Sequence, residues 1–281
     1  MALETFSAGG PQFDDQDFLG MAGSTKLRGL TLGHCKMTSE ALGAVGKFTD
    51  LLALGLTGSA VTDETVRAWA DMHEIHTLML DQTQITSASV PWICSLRLLR
   101  HLCIDSRSIA SITPEQLDRL SSLQSISLYG NEINPTALSK MSNWKSLVVF
   151  RIENATLTRD ELSKLIPCLP KSLNVLDLCD CKIDPEVLET FVDCLPERIS
   201  LGVRGLEVSE DLMFFLLEGR RAVAENESNY FTANERYGLV QSSIWSAGGP
   251  AIAIPLDIRR PTLGLGTLNH AELLVRPSHF Q

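Results

Sequence analysis

Positive charge is scarce in this sequence: 24 Lys and Arg stand against 34 Asp and Glu, a formal net charge of −10. That excess of acid argues against a nucleic-acid backbone or an anionic membrane as partner, and favours another protein with a basic surface. No apolar run approaches the roughly 20 residues needed to cross a bilayer. The longest cluster, Leu212–Leu217, is far shorter. The opening MALETFSAGG has neither a positive start nor an apolar core, so no secretory signal is expected there. Seven cysteines are an odd number without the spacing of a disulfide framework, which predicts reduced thiols in a cytoplasmic protein. Without secretion, the sequons Asn154-Ala155-Thr156 and Asn226-Glu227-Ser228 carry no meaning. Gly248-Gly249-Pro250 lacks the strand, helix and Lys of a phosphate-binding loop, and no cofactor is implied.

What the chain does have is a period. In SLNVLDLCDCKIDPEVLETF (Ser172–Phe191), Leu173, Leu176 and Leu178 are followed by Cys181, Ile183, Asp184-Pro185, Leu188 and Phe191. The order reads as a short strand, a turn, and a helix capped by Asp with Pro in its first position. The first apolar residue of this unit recurs at Leu27, Leu51, Ile75, Leu99, Leu123, Leu147, Leu173 and Ile199. The steps are 24, 24, 24, 24, 24, 26 and 26, and chance does not hold a period that long. Phe13, Asp14, Phe18 and Met21 lie 24 residues before Met37, Thr38, Leu42 and Val45, so a half repeat with a capping helix is expected over Asp14–Met21.

The repeats differ in instructive ways. Thr38 and Thr62 are placed to cap helices carrying the stripes Leu42/Val45 and Val66/Trp69. In repeat three, Pro91 falls five residues past Thr86, so an irregular turn should come before a helix near Pro91, with Trp92 against a neighbouring helix. Repeat four carries three extra residues before Ile112, then a strong helix start at Thr113-Pro114-Glu115-Gln116 that should be displaced sideways. Asn134-Pro135 and Thr158–Glu161 start the next two helices. Repeat eight is degenerate. Glu225, Asn226, Glu227 and Ser228 suit no further strand, so the solenoid is expected to stop near Glu227.

The pattern Leu-x-x-Leu-x-Leu-x-x-(Cys/Asn)-x-(Ile/Val)-(Thr/Asp) resembles a leucine-rich repeat. The resemblance implies an α/β fold: a leucine-rich-repeat solenoid with a curved parallel sheet on its concave side and helices on its convex side. The 26-residue repeats are similar to ribonuclease-inhibitor-like members and should carry fuller helices. Met37-Thr38 and Val61-Thr62-Asp63 look like bacterial short repeats, and Cys35 and Cys181 are similar to the cysteine-containing subtype of ubiquitin-ligase adaptors. The domains expected are a flexible N-terminus over 1–12, the solenoid over 13–227 in about eight repeats, and a C-terminal cap or flexible tail over 228–281.

Side chains alternate across a strand, so residues between the leucines face the concave side. Asp81, Asp105, Tyr129 and Glu153 then form a lateral row across adjacent strands, with Met79, His101, Arg151 and Asp177 beside them. Acids that steer a basic partner, with Tyr and Arg as anchors, suit protein binding. These residues are the candidate contact set, and the expected function is non-enzymatic capture of another protein, as an inhibitor or a complex subunit. A second reading gives the active role to the C-terminal segment, in a regulatory or sensor protein. A third would use His101 and Cys103 catalytically, with Asp105 as orienter, or bind a metal with Asp81. Residues two apart on a strand project in parallel, and paired metal-ligand spacing is missing, so no catalytic or metal residue is assigned. Cys179 should face away from Cys181, which argues against a local disulfide.

Overall fold

The structure is a computed structural model, and it describes residues 4–21, 26–131, 133–209, 212 and 222–223. The strands are β1 (Thr5–Gly9), β2 (Gly29–Gly33), β3 (Ala53–Gly55), β4 (Thr77–Leu80), β5 (His101–Asp105), β6 (Ser125–Tyr129), β7 (Val149–Glu153), β8 (Val175–Asp177), β9 (Ser200–Gly202) and β10 (Ala222–Val223). They form one sheet in chain order, every pair parallel. The register repeats the sequence period: Leu30 lies beside Leu54, Leu54 beside Leu78, and Leu78 beside Leu102. This is a leucine-rich-repeat solenoid. Each repeat leaves an apolar strand face that only the next repeat covers, which is why the leucines are so completely buried. Leu27, Leu30, Leu32, Leu51, Leu54 and Leu56 all lie in the core at 0% exposure.

The return segments are helices α1 (Asp15–Met21), α2 (Ser39–Gly43), α3 (Asp63–Arg67), α4 (Val90–Ile93), α5 (Ser106–Ile109), α6 (Pro114–Asp118), α7 (Pro135–Leu138), α8 (Arg159–Leu165) and α9 (Pro185–Cys194). A 24-residue repeat has little chain left for a helix after its strand and turns. The two 26-residue repeats carry α8 and α9, of 7 and 10 residues, where most others have 4 or 5. The starts follow the capping residues. Thr38, Thr62, Thr113, Asn134, Thr158 and Asp184 each accept a backbone N–H two or three residues on. Each such cap stabilises its helix by about 1 kcal/mol. Caps are also tied laterally: Asp15 accepts from the amide and hydroxyl of Thr38, and Asp63 does the same for Thr86, 2.7–2.9 Å in each case.

Repeat three has a 3-10 turn at Ser87–Ser89 before α4, with Pro91 in its first turn. Trp92 is half-buried against Trp69, ring centroids 5.7 Å apart, and its indole donates to the Trp69 carbonyl at 3.1 Å. In repeat four the extra residues form α5, an additional helical turn directly after β5.

Two boundaries need correction. The loose segment expected over 1–12 contains β1, which pairs with β2 from Thr5↔Gly29 to Gly9↔Gly33. Phe6 and Ala8 pack on the core, and Phe6 meets Phe13 with centroids 5.7 Å apart. The strand forms because this piece repeats the apolar alternation of β2. Near Val223, where no strand was expected, Ala222–Val223 pair in parallel with Leu201 and Gly202 of β9. So short a pairing needs only backbone groups, and the acids that argued against it come later in the chain. The C-terminal segment 228–281 lies outside the described residues.

A second periodic feature ends the strands. Gly10, His34, Gly58, Gln82, Gly130, Asn154, Asp180 and Gly205 all have positive φ, between 52° and 98°. Glycine adopts this left-handed conformation freely, whereas other residues reach it at a cost of about 1 kcal/mol. The amides at these positions donate to the next repeat: Gly10 to Gly33 O, His34 to Thr57 O, Gly58 to Asp81 O, Gly130 to Glu153 O, Asn154 to Cys179 O and Asp180 to Arg204 O. Ser106, the equivalent of this position in repeat four, starts α5 instead.

Candidate protein-binding face

The register assembles the concave face in rows. His101 lies beside Thr77 and Ser125; Cys103 beside Met79 and Ser127; Arg151 beside Ser127 and Asp177; Tyr129 between Asp105 and Glu153. Strands about 4.8 Å apart hold these neighbours in side-chain contact. All eight candidate contact residues therefore occupy one face. They do not share one exposure. Met79, Asp81, Asp105, Arg151 and Asp177 are buried, at 9% or less, while His101, Tyr129 and Glu153 are half-buried. The five buried side chains are engaged within the protein: Arg151 with Asp177, Asp81 with Thr57, Asp105 with Gln82 and Arg107, and Met79 over Gly55. They form the floor, and the other three stand above it.

Arg151 organises that floor. Its Nε donates to Asp177 at 2.8 Å and its Nη1 to Glu153 at 3.3 Å, and Ser127 donates to the same Glu153 oxygen at 3.3 Å. Burial opposes the Arg151 charge, but Asp177 and Glu153 outweigh it and raise its pKa. Asp177 extends over Gly202, where any Cβ would strike its carboxylate, and Met79 covers Gly55 in the same way. Asp81 accepts from the Thr57 hydroxyl at 2.9 Å. Burial still pushes its pKa up to about 6, against hydrogen bonds from Thr57 and Cys103 that favour the charge.

The surroundings of His101 and Cys103 run against the demands of a nucleophile and its base. The Cys103 thiol pairs with Asp81, and burial with the neighbouring acid charges lifts its pKa well above the ordinary value. A nucleophilic thiol needs the opposite shift. The ring of His101 is half-buried, but its Nε2 is fully enclosed without a hydrogen-bond partner, and burial takes its pKa down to about 4. Among the described residues, no group of three or more His, Cys, Asp or Glu is arranged to hold a metal ion. Cys179 donates to Asp180 at 3.0 Å and receives the Arg204 guanidinium, whereas Cys181 donates to Ile152 O at 3.4 Å. The two thiols are thus engaged separately, and all seven cysteines are free.

At the strand ends of repeats three to five, the interruption by α5 leaves a cleft of about 390 Å³. Tyr129 and Asp105 belong both to this cleft and to the concave row. Gln82, Thr83, Ser106, Arg107, Gly130 and Asn131 complete its walls and were not in the candidate set. The signal for them was present: three inserted residues after Asp105, facing a Gly130-Asn131 turn one repeat on. Arg107 Nη2 spans the cleft, donating to Thr83 O at 2.5 Å and Asp105 Oδ2 at 3.1 Å, with its side chain 54% exposed.

Comparison with solved structures gives the same architecture. A protein from Bacteroides fragilis is 13% identical and superposes with a TM-score of 0.50, covering 74% of this chain and 67% of that one. Leucine-rich-repeat solenoid is the fold. An internalin C2 from Listeria monocytogenes is 23% identical, with a TM-score of 0.46 over 73% of this chain and 80% of its own. A second internalin from that organism is 18% identical, with a TM-score of 0.38 over 71% and 60%. The Bacteroides fragilis match, at 13% identity, speaks to the fold alone. No protein-family model matches the solenoid's sequence, and no curated protein does. Among the described residues, no helix of the solenoid is long and apolar enough to cross a membrane.

Proposed function

We propose that this solenoid is a non-enzymatic module that captures another protein on its concave face, centred on β5 to β7. One observation carries the reading. Tyr129 stands half-buried between Asp105 and Glu153 on neighbouring strands, and the Gln82 amide and the Arg151 guanidinium fix the two carboxylates. A face held in place before binding loses little conformational freedom when a partner arrives. The partner carries a basic surface, matched to the net charge of −10. Its role as an inhibitor or a subunit of a complex belongs to the same proposal. Seven free thiols, most of them buried, support a reducing, cytoplasmic setting.

The test is affinity purification with the full chain as bait, beside a Ser125→Arg variant. Ser125 is half-buried in the middle of the face and takes no part in the floor ion pairs. An arginine there should project a bulky charge into the contact zone. Partner capture is expected to disappear while the melting temperature holds. Undiminished capture by Ser125→Arg overturns the placement.

A further inference from the structure

We propose that the cleft beside β5 and β6 is a guanidinium seat, occupied in the free chain by Arg107 and yielded to an arginine of a basic partner segment. The inference rests on the protein-capture reading and specifies which side chain of the partner is read. The seat is already shown working: a guanidinium nitrogen of Arg107 bridges the Thr83 carbonyl and the Asp105 carboxylate. Arg107 is a displaceable occupant, because its side chain is 54% exposed and enters from a four-residue helix. Asp105 is not displaceable. Its carboxylate is buried and anchored by the Gln82 amide at 2.7 Å, so the acceptor stays in position when the donor leaves.

The surroundings favour a cation, and arginine over lysine. Asp81, Asp105 and Glu153 outnumber Arg107 and Arg151 around the seat, so displacing Arg107 leaves a negative field for the incoming charge. The same field acts on Tyr129, whose phenol is held back from ionising by burial and by Glu153, Asp105 and Asp81. The Tyr129 ring lines the cleft, and a planar guanidinium can stack on it while donating to Thr83 O and Asp105. The amide side chains of Gln82 and Asn131 stand exposed at the rim, where they can meet the backbone of a peptide.

The experiment is an NMR titration of the full chain with the pentapeptide acetyl-Gly-Gly-Arg-Gly-Gly-amide and its citrulline counterpart, which is isosteric and neutral. The arginine peptide should shift the amides of Gln82, Arg107 and Gly130, and bind roughly tenfold more tightly than the citrulline peptide. Arg107→Ala empties the seat and should bind the arginine peptide several-fold more tightly. Asp105→Asn keeps an acceptor for Gln82 but removes the charge, and should abolish the preference for arginine. Equal binding of the two peptides, weaker binding by Arg107→Ala, or shifts confined to other amides overturns the proposal. The broader reading fails differently. There, Ser125→Arg leaves partner capture intact whatever the peptides do.

Discussion

The backbone amide of Gln82 donates to the carboxylate of Asp105 at 2.7 Å, whereas the corresponding amides of Gly58 and Gly130 donate to the carbonyls of Asp81 and Glu153. The difference marks where the repeat is interrupted. The chain turns into α5 directly after Asp105, and the side chain supplies the acceptor that the backbone supplies elsewhere. Asp105 is thus a structural bracket as well as a wall of the cleft. Replacing it with Ala removes the acceptor for Gln82 and the partner of Arg107, and should cost about 1–3 kcal/mol. For a domain of this size, that lowers the melting temperature by roughly 2–10 °C. Asn at the same place retains an acceptor and should recover at least half of the loss. Calorimetry on the two variants checks both statements, and an Ala variant as stable as the parent refutes them.

The titrations of Asp81 and His101 should oppose each other in mild acid. Asp81 has a folded-state pKa near 6 against an ordinary value of 3.8, so the folded chain binds its proton more readily. Its contribution is fully present below 3.8 and is lost as pH rises through about 6. His101 has a folded-state pKa near 4 against 6.5, lowered first by burial and then by the charges of Arg100 and His76. Its contribution is present above 6.5 and is lost as pH falls towards 4. The two windows overlap with opposite sign. Asp81→Asn should therefore become less stable on acidification from pH 7 to pH 4, by at most about 3 kcal/mol. His101→Gln should become more stable over the same range. Urea midpoints across this range test the pair; parallel profiles for the two variants would count against the argument.

Arg151 should be the most sensitive residue of the floor. Replacing it with Met removes the guanidinium that balances the buried Asp177 carboxylate and Glu153, at a cost of about 3–5 kcal/mol. Adding Asp177→Leu to that variant removes the unbalanced buried charge and should restore much of the stability. A double-mutant cycle followed by urea unfolding measures the coupling. Simple additivity of the two substitutions would show that the pair is not a unit.

Much of this was legible in the residues. Leu27 through Ile199 set the register, Thr38, Thr62 and Asp184 set the helix starts, and alternation put Tyr129 and Glu153 on the concave side. Exposure was not legible. Alternation gives the direction of a side chain, but whether Asp177 is free or pinned under Arg151 depends on neighbours 26 residues away. The segment over 1–12 was misread because β1 lacks leucines, although Phe6 and Ala8 hold their places. The left-handed strand ends have a sequence trace of their own: Gly, Asn, Asp and His recur at those positions, and each of these types tolerates the conformation better than most. The cleft had only the insertion after Asp105 as its sign. That Asp105 would replace a backbone acceptor depends on its path into α5.

Seven strand-end amides, from Gly10 to Asp180, point the same way, each toward the repeat that follows. Shortening the solenoid is therefore not symmetrical. Trimming a repeat from the C-terminal side leaves the preceding turn with a donor and no acceptor, whereas trimming from the N-terminal side leaves a carbonyl with one contact fewer, which proteins tolerate better. The stack has a grain, and it should splinter more readily from one end than from the other.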